Sequence, residues 1–209
     1  MIYSNLIKIK TTKAAMFGLD ARIALAIFGA LSVISGAALY SAIENAKLTS
    51  VQQTIHNVEK AFEALYLDLG ELPNRASSLT KNAQYLQENP GNLTLWKGPY
   101  LTFDKDVGIN DMYFLVDKIL FNINNGSPAG NSCAAGSSKD GHYYLRIFYI
   151  ADDINNLPTA DCNVPESFAK KFHDKFDGDS DYTKGKIVIA PHSSDATRYT
   201  INIQMDLKH

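Results

Sequence analysis

Met16-Phe17-Gly18-Leu19-Asp20-Ala21-Arg22 runs straight into 21 uncharged residues, IALAIFGALSVISGAALYSAI, from Ile23 to Ile43. At 1.5 Å of rise per residue, a helix over that run climbs about 30 Å, the depth of a bilayer's hydrocarbon core. The run therefore predicts a membrane span. Asp20 stands just ahead of it, and a carboxylate left unpaired near the bilayer edge costs a few kcal/mol. That placement makes sense if another copy of the chain brings a positive charge to it.

Lys8, Lys10 and Lys13 precede the span, whereas Glu44 and Lys47 after it cancel, so the amino end is expected to stay in the cytoplasm and the bulk to be exported. A cleaved signal peptide is the competing reading, because Ser35-Gly36-Ala37-Ala38 offers small residues that a signal peptidase accepts. Against it, the apolar run exceeds the usual signal core of about 7 to 15 residues, and Asp20 and Arg22 interrupt its boundary.

The helical pattern continues past the span. Val51, Ile55, Val58, Phe62, Leu65 and Leu69 recur at steps of four and three with polar residues between them, which predicts an amphipathic helix with one apolar stripe. No proline occurs from Met1 to Leu72. One continuous helix is expected from about Phe17 to Leu69, roughly 80 Å long, ended by Gly70 and the Leu72-Pro73 step. Two helices with a break near Gly36 or Ser41 are the alternative.

With 209 residues, 45% hydrophobic content and a net charge of -2, the chain suits one anchor and one globular head, and it carries no basic excess for nucleic acid. In the head, Met112 to Phe121, Tyr143 to Ile150, Lys186 to Ala190 and Tyr199 to Met205 are rich in aromatic and β-branched residues, and the last three read as strands. Tyr199, Ile201, Ile203 and Met205 alternate cleanly, as a strand with one face against a helix requires. Pro165 to Phe176 carries Phe168, Phe172 and Phe176 every fourth residue and predicts a short helix. The fold class is α+β: a long helix packed on a small antiparallel sheet.

Cys133 and Cys162 are the only cysteines. In an exported domain two such thiols more often form a structural disulfide than stay free. It would close a loop of roughly thirty residues and contribute about 3 to 4 kcal/mol in the chain-entropy view. A redox role lacks the C-x-x-C spacing. Asp177, Asp179 and Asp181, with Asp174 nearby, have the spacing that opens a calcium loop, but Val188 holds the twelfth position where a bidentate glutamate belongs. A solvated acidic turn is the plainer expectation, and no cofactor is required. His56 is expected on the polar side of the long helix, and His142, His173, His192 and His209 on loops. No catalytic motif is present, so no enzymatic activity is expected.

The segment 16–43 resembles the amino terminus of the type IV pilin and type II secretion pseudopilin family. In that family a basic leader is removed by a prepilin peptidase, the fifth mature residue is acidic, and a hydrophobic helix follows. Cleavage between Ala15 and Met16 puts Asp20 at that fifth position and Ala26 and Gly29 where the family has alanine and glycine. Two departures stand: Ala15 replaces the usual glycine, and Asp20 the usual glutamate. Arg22 is atypical as well. A cut after Gly18 restores the glycine but leaves Ile23 fifth.

A second block, Phe62 to Pro73 followed by Trp96-Lys97-Gly98-Pro99-Tyr100-Leu101, is similar to the helix exit and the turn after it in major-pseudopilin-like subunits. The resemblance implies a leader at 1–15, an assembly helix at 16–43, its amphipathic continuation at 44–72 and a head at 73–209. It further implies an N-methylated Met16, close helix packing at Ala26, Gly29 and Gly36, and calcium in a head loop of some members. The implied partners are copies of the chain, other pilin-like subunits, a prepilin peptidase, an inner-membrane assembly platform and lipid. The implied place is a single pass through the bacterial inner membrane, the head in the periplasm, and then a periplasmic or surface filament. The major pseudopilin of a type II secretion system is the first expectation, from the Trp96 to Leu101 block, and a minor pilin, adhesive or DNA-uptake subunit the second. A signal-anchored exported enzyme or binding protein is the reading from another class.

Overall fold

The computed structural model describes residues 12–73, 82–102, 114–117, 119–124, 142–150, 164–178, 181–191, 195 and 197–208. Helix α1 runs without a break over Thr12–Leu69, so neither Gly36 nor Ser41 interrupts it. It starts five residues before Phe17. Nothing in Thr12-Lys13-Ala14-Ala15 forbids helical backbone, and the acidic residue and glycine that follow do not stop it. At the other end Gly70 takes φ +79° and its N–H donates to the Tyr66 carbonyl at 2.8 Å, the left-handed cap foreseen there.

The chain divides into two compact units, residues 1–49 and residues 50–209. In the first, Leu19, Leu25, Phe28, Val33, Ile34, Leu39 and Tyr40 are all more than half exposed. They lie on every side of the helix. By length and composition α1 is the one helix among the described residues able to cross a membrane.

The second unit is built on an antiparallel sheet of β1 (Phe114–Val116), β2 (Ile119–Asn124), β3 (His142–Ile150), β4 (Val164–Pro165), β5 (Ile187–Pro191) and β6 (Arg198–Lys208), with α2 at Glu166–Phe176. The path is β1-β2-β3-β6-β4, and β5 pairs with β6. Tyr199 is opposite both Val164 and Pro191, so β4 and β5 flank β6 on opposite sides. Within the aromatic run from Met112 to Phe121, β1 pairs antiparallel with β2 (Phe114 with Phe121, Val116 with Ile119), and Asp117 after β1 adopts φ 47°.

Register aligns the core. Phe114, Phe121, Ile147, Ile201 and Ile189 form one row across five strands, and Ile123, Leu145, Ile203 and Ile187 form the next. Paired residues share a face, so both rows look the same way. The stripe on α1 meets them: Phe62 packs edge-on against Phe114 at 5.7 Å, and Phe114 stacks on Phe121 at 5.5 Å. Val51, Ile55, Val58, Phe62 and Leu65 are buried as their spacing predicts, and Leu69 is partly covered. Each fully buried side chain of this kind stabilises the fold by about 1.5–3 kcal/mol.

The opposite face is more polar than alternation along β6 suggests. Asn122, Arg146 and Asn202 form a buried row there, beside Thr200. His173 differs from expectation too. It lies on α2, wholly buried, rather than on a loop.

Candidate functional site

Two elements carry the chemistry that the sequence singles out: the apolar part of α1, and the point where the chain leaves α1. At the exit, Asp68 lies in the last turn of the helix and collects two partners from a loop about thirty residues later. The Tyr100 hydroxyl donates to Asp68 Oδ2 at 2.6 Å, and Lys97 Nζ donates to Oδ1 at 3.1 Å. The Lys97 N–H in turn donates to the Tyr100 hydroxyl oxygen at 2.9 Å, so one ring of donors and acceptors closes on the helix end.

The loop is held from its other side as well. A short 3-10 turn at Ala83–Leu86 is capped by Asn82, whose Oδ1 accepts the Gln84 N–H at 3.0 Å. From that turn the Leu86 carbonyl accepts the N–H groups of Tyr100 and Leu101 at 2.7 and 3.0 Å. Trp96 donates its indole N–H to the Tyr85 carbonyl at 2.6 Å and meets the Tyr100 ring edge-on at 5.8 Å. Between these two rings stands Gly98, where an added Cβ would come within 2.8 Å of Tyr100 Cδ2 and closer still to the indole of Trp96. Only a residue without a side chain fits.

The electrostatics follow from the contacts. The Tyr100 hydroxyl, and then Lys97, hold the Asp68 carboxyl below its ordinary value. Burial, and then the hydrogen bond to Asp68, push the Tyr100 phenol up. Beside the clamp is an open recess lined by Leu69, Pro73, Tyr85, Leu93 and Leu95, with Glu71 the charged member.

Of the residues marked in the sequence, Ala15 and Met16 lie within α1, and their side chains fall outside the described part. Asp20, Ala26, Gly29 and Gly36 are exposed on the same helix. At 100° per residue, Ala26, Gly29 and Gly36 fall within one face about 80° wide. A Cβ built on Gly29 or Gly36 meets nothing within 4 Å, so that face is open for a neighbouring helix. Cys133, Cys162, Asp179, His192 and His209 lie outside the described residues.

Asp177 and Asp181 are described, and each carboxylate is engaged by the protein. Asp177 accepts the backbone N–H groups of Lys186 and Ile187 at 3.2 and 3.3 Å. Asp181 accepts from Thr183 and pairs with Lys184 at 2.7 Å, which lowers its pKa to about 2. Among the described residues no group of three or more His, Cys, Asp or Glu side chains converges as metal ligands.

The Asp68, Lys97 and Tyr100 ring is what reading along the chain missed. All three residues stand in the quoted block, but their separations of 29 and 32 residues carry no local signal of contact.

Residues 38–115 match the family described as Type II secretion system (T2SS), protein G, a stretch that takes in the later part of α1, the exit clamp and β1 up to Leu115. No curated protein and no solved structure matches the chain significantly. The matched stretch bears out the resemblance read from the second block, and over it this chain is similar to the pilin-like pseudopilin family of type II secretion.

Proposed function

We propose that this chain is a structural subunit, rather than an enzyme, of a type II secretion pseudopilus or a related type IV pilus-like filament. The observation that carries this reading is a helix apolar on all sides and exposed along residues 23–43, in a chain whose helix exit lies in a pseudopilin-like stretch. A helix of that kind requires lipid or neighbouring helices around it. In the membrane it is a single-pass anchor with the head outside the cytoplasm. In the filament, the same apolar surface packs against other copies.

Prepilin peptidase cuts between Ala15 and Met16 in this scheme and frees the α-amino group of Met16, which is then methylated. Asp20 of an incoming subunit meets that amine on a neighbour, and each charge offsets the desolvation cost of the other. Ala26, Gly29 and Gly36 let the helices approach closely. The assembly platform in the inner membrane supplies the work. An Asp20→Ala chain should be inserted and processed yet fail to enter filaments when it is the sole copy. A normal filament yield would remove Asp20 from the mechanism.

One observation favours a specialised, minor subunit over the major one. The family match ends at residue 115, whereas β2, β3, α2, β5 and β6 all lie beyond it. A head elaborated outside the shared stretch suits contacts of its own, as adhesion or DNA uptake demands. Counting copies of the chain along isolated filaments separates the two: a continuous coat identifies the major subunit, and a few copies per filament the minor one.

A further inference from the structure

β5 is an edge strand, paired with β6 and with no other strand among the described residues. Its register tells which backbone groups face outward. The Gln204 N–H donates to the Lys186 carbonyl at 2.8 Å, so the Lys186 carbonyl and the amide groups of Val188 and Ala190 face β6, while the Lys186 N–H donates to Asp177 Oδ1 at 3.2 Å. Ile187, Ile189 and Pro191 then turn theirs to the open side, where a strand from another molecule would add.

None of these three positions offers a donor. The Ile187 N–H donates to Asp177 Oδ2 at 3.3 Å, and the Ile189 N–H to the Tyr182 carbonyl at 2.9 Å. Pro191 has no N–H at all. Gly185, at φ +87°, lets the backbone pass against the Asp177 carboxylate, with which any side chain there would collide. Buried His173 touches both covering residues: its Nε2 lies 3.5 Å from Asp177 Oδ2, and its ring meets Tyr182 edge-on at 5.0 Å. At the far edge of the sheet, β1 is only three residues long, itself a poor template.

We propose that Asp177, Tyr182 and Gly185, seated on His173, form a clasp that closes the β5 edge to strand addition by a second copy of the chain. A chain held among copies of itself, by whatever helix contacts, exposes its sheet edges at high local concentration. An open β5 edge would zip one head to the next. The clasp goes beyond the filament reading and holds whether or not that reading is right.

The test uses the full chain in detergent micelles, comparing Asp177→Ala with the unsubstituted protein by amide exchange and by sedimentation. At low concentration, where the chain is monomeric, exchange at Ile187 should quicken at least tenfold; at higher concentration larger, β-rich oligomers should appear, while peptides from β3 and β6 keep their protection. Adding Val188→Lys, a charge on the edge strand, should reverse the association and leave the fast exchange at Ile187. Unchanged exchange at Ile187 overturns the clasp, and so does fast exchange with no added association. Loss of protection in β3 and β6, or oligomers that persist with Lys at 188, would likewise show that Asp177 supports the fold rather than covering an edge.

Discussion

Tyr100 donates its hydroxyl to Asp68 at 2.6 Å, joining the last turn of the long helix to a loop 32 residues further along. Together with Lys97 it makes the helix exit a fixed corner rather than a free end.

The corner should respond to acid. The folded pKa of Asp68 is lowered, chiefly by the Tyr100 hydroxyl and then by Lys97. A depressed carboxylate contributes stability that is fully present above its unfolded pKa, about 3.9, and is lost as pH falls through the folded value. Denaturation of the head followed from pH 7 to pH 3 should show a loss below about pH 4 that is smaller in Asp68→Asn and in Tyr100→Phe. Equal acid sensitivity in all three proteins would rule the clamp out as its source.

Glu59 carries the opposite sign. Burial raises its pKa, with Lys186 opposing the shift and Asp206 and Glu63 adding to it. A raised carboxylate costs stability as pH climbs through the folded value, so Glu59→Gln should leave the head as stable or more stable at pH 7 and less so, relative to wild type, near pH 4. Urea midpoints at the two pH values check this.

Phe62 is wholly buried against Phe114, whereas Phe28 is 69% exposed on the apolar part of the same helix. Phe62→Ala should destabilise the head by about 3–5 kcal/mol through the cavity it leaves. Phe28→Ala should leave head stability unchanged. Unfolding of the full chain in detergent, read from Trp96, the sole tryptophan, distinguishes them.

Gly98→Ala places a methyl group against the rings of Trp96 and Tyr100. Overpacking of this kind costs about 1–3 kcal/mol, and here it should also shift the Trp96 emission as the indole leaves the Tyr85 carbonyl. An unchanged spectrum and midpoint would mean that the loop yields without cost.

The mature amino terminus decides the processing register. Mass spectrometry of the chain from its native membrane should find N-methylated Met16. A start at Leu19 would instead support the cut after Gly18, and a start near Ala38 an ordinary signal peptide.

Much of the architecture was legible along the chain because it is local. Steps of three and four place Val51, Ile55, Val58, Phe62 and Leu65 on one side of any α-helix, and an uncharged run without proline has little alternative to continuing one. Alternation in Tyr199 to Met205 specifies a strand for the same reason, since backbone geometry alone sets a period of two. His173 escaped because burial of an imidazole depends on what packs over it, here Tyr182 and Asp177.

Sequence by itself therefore determined the long apolar helix, its amphipathic continuation, its stop at Gly70 and the identity of three strands, each a consequence of periodicity and backbone chemistry within a few residues. Tertiary structure alone decided that Asp68 meets Lys97 and Tyr100, that Phe62 lands on Phe114, and that Asp177 covers the edge of β5. The helix exit and Phe62 contacts join positions tens of residues apart, and the cover on β5 depends on which amides the sheet register turns outward. Their energies depend on chain closure and on that register, neither of which leaves a repeat in the order of the residues.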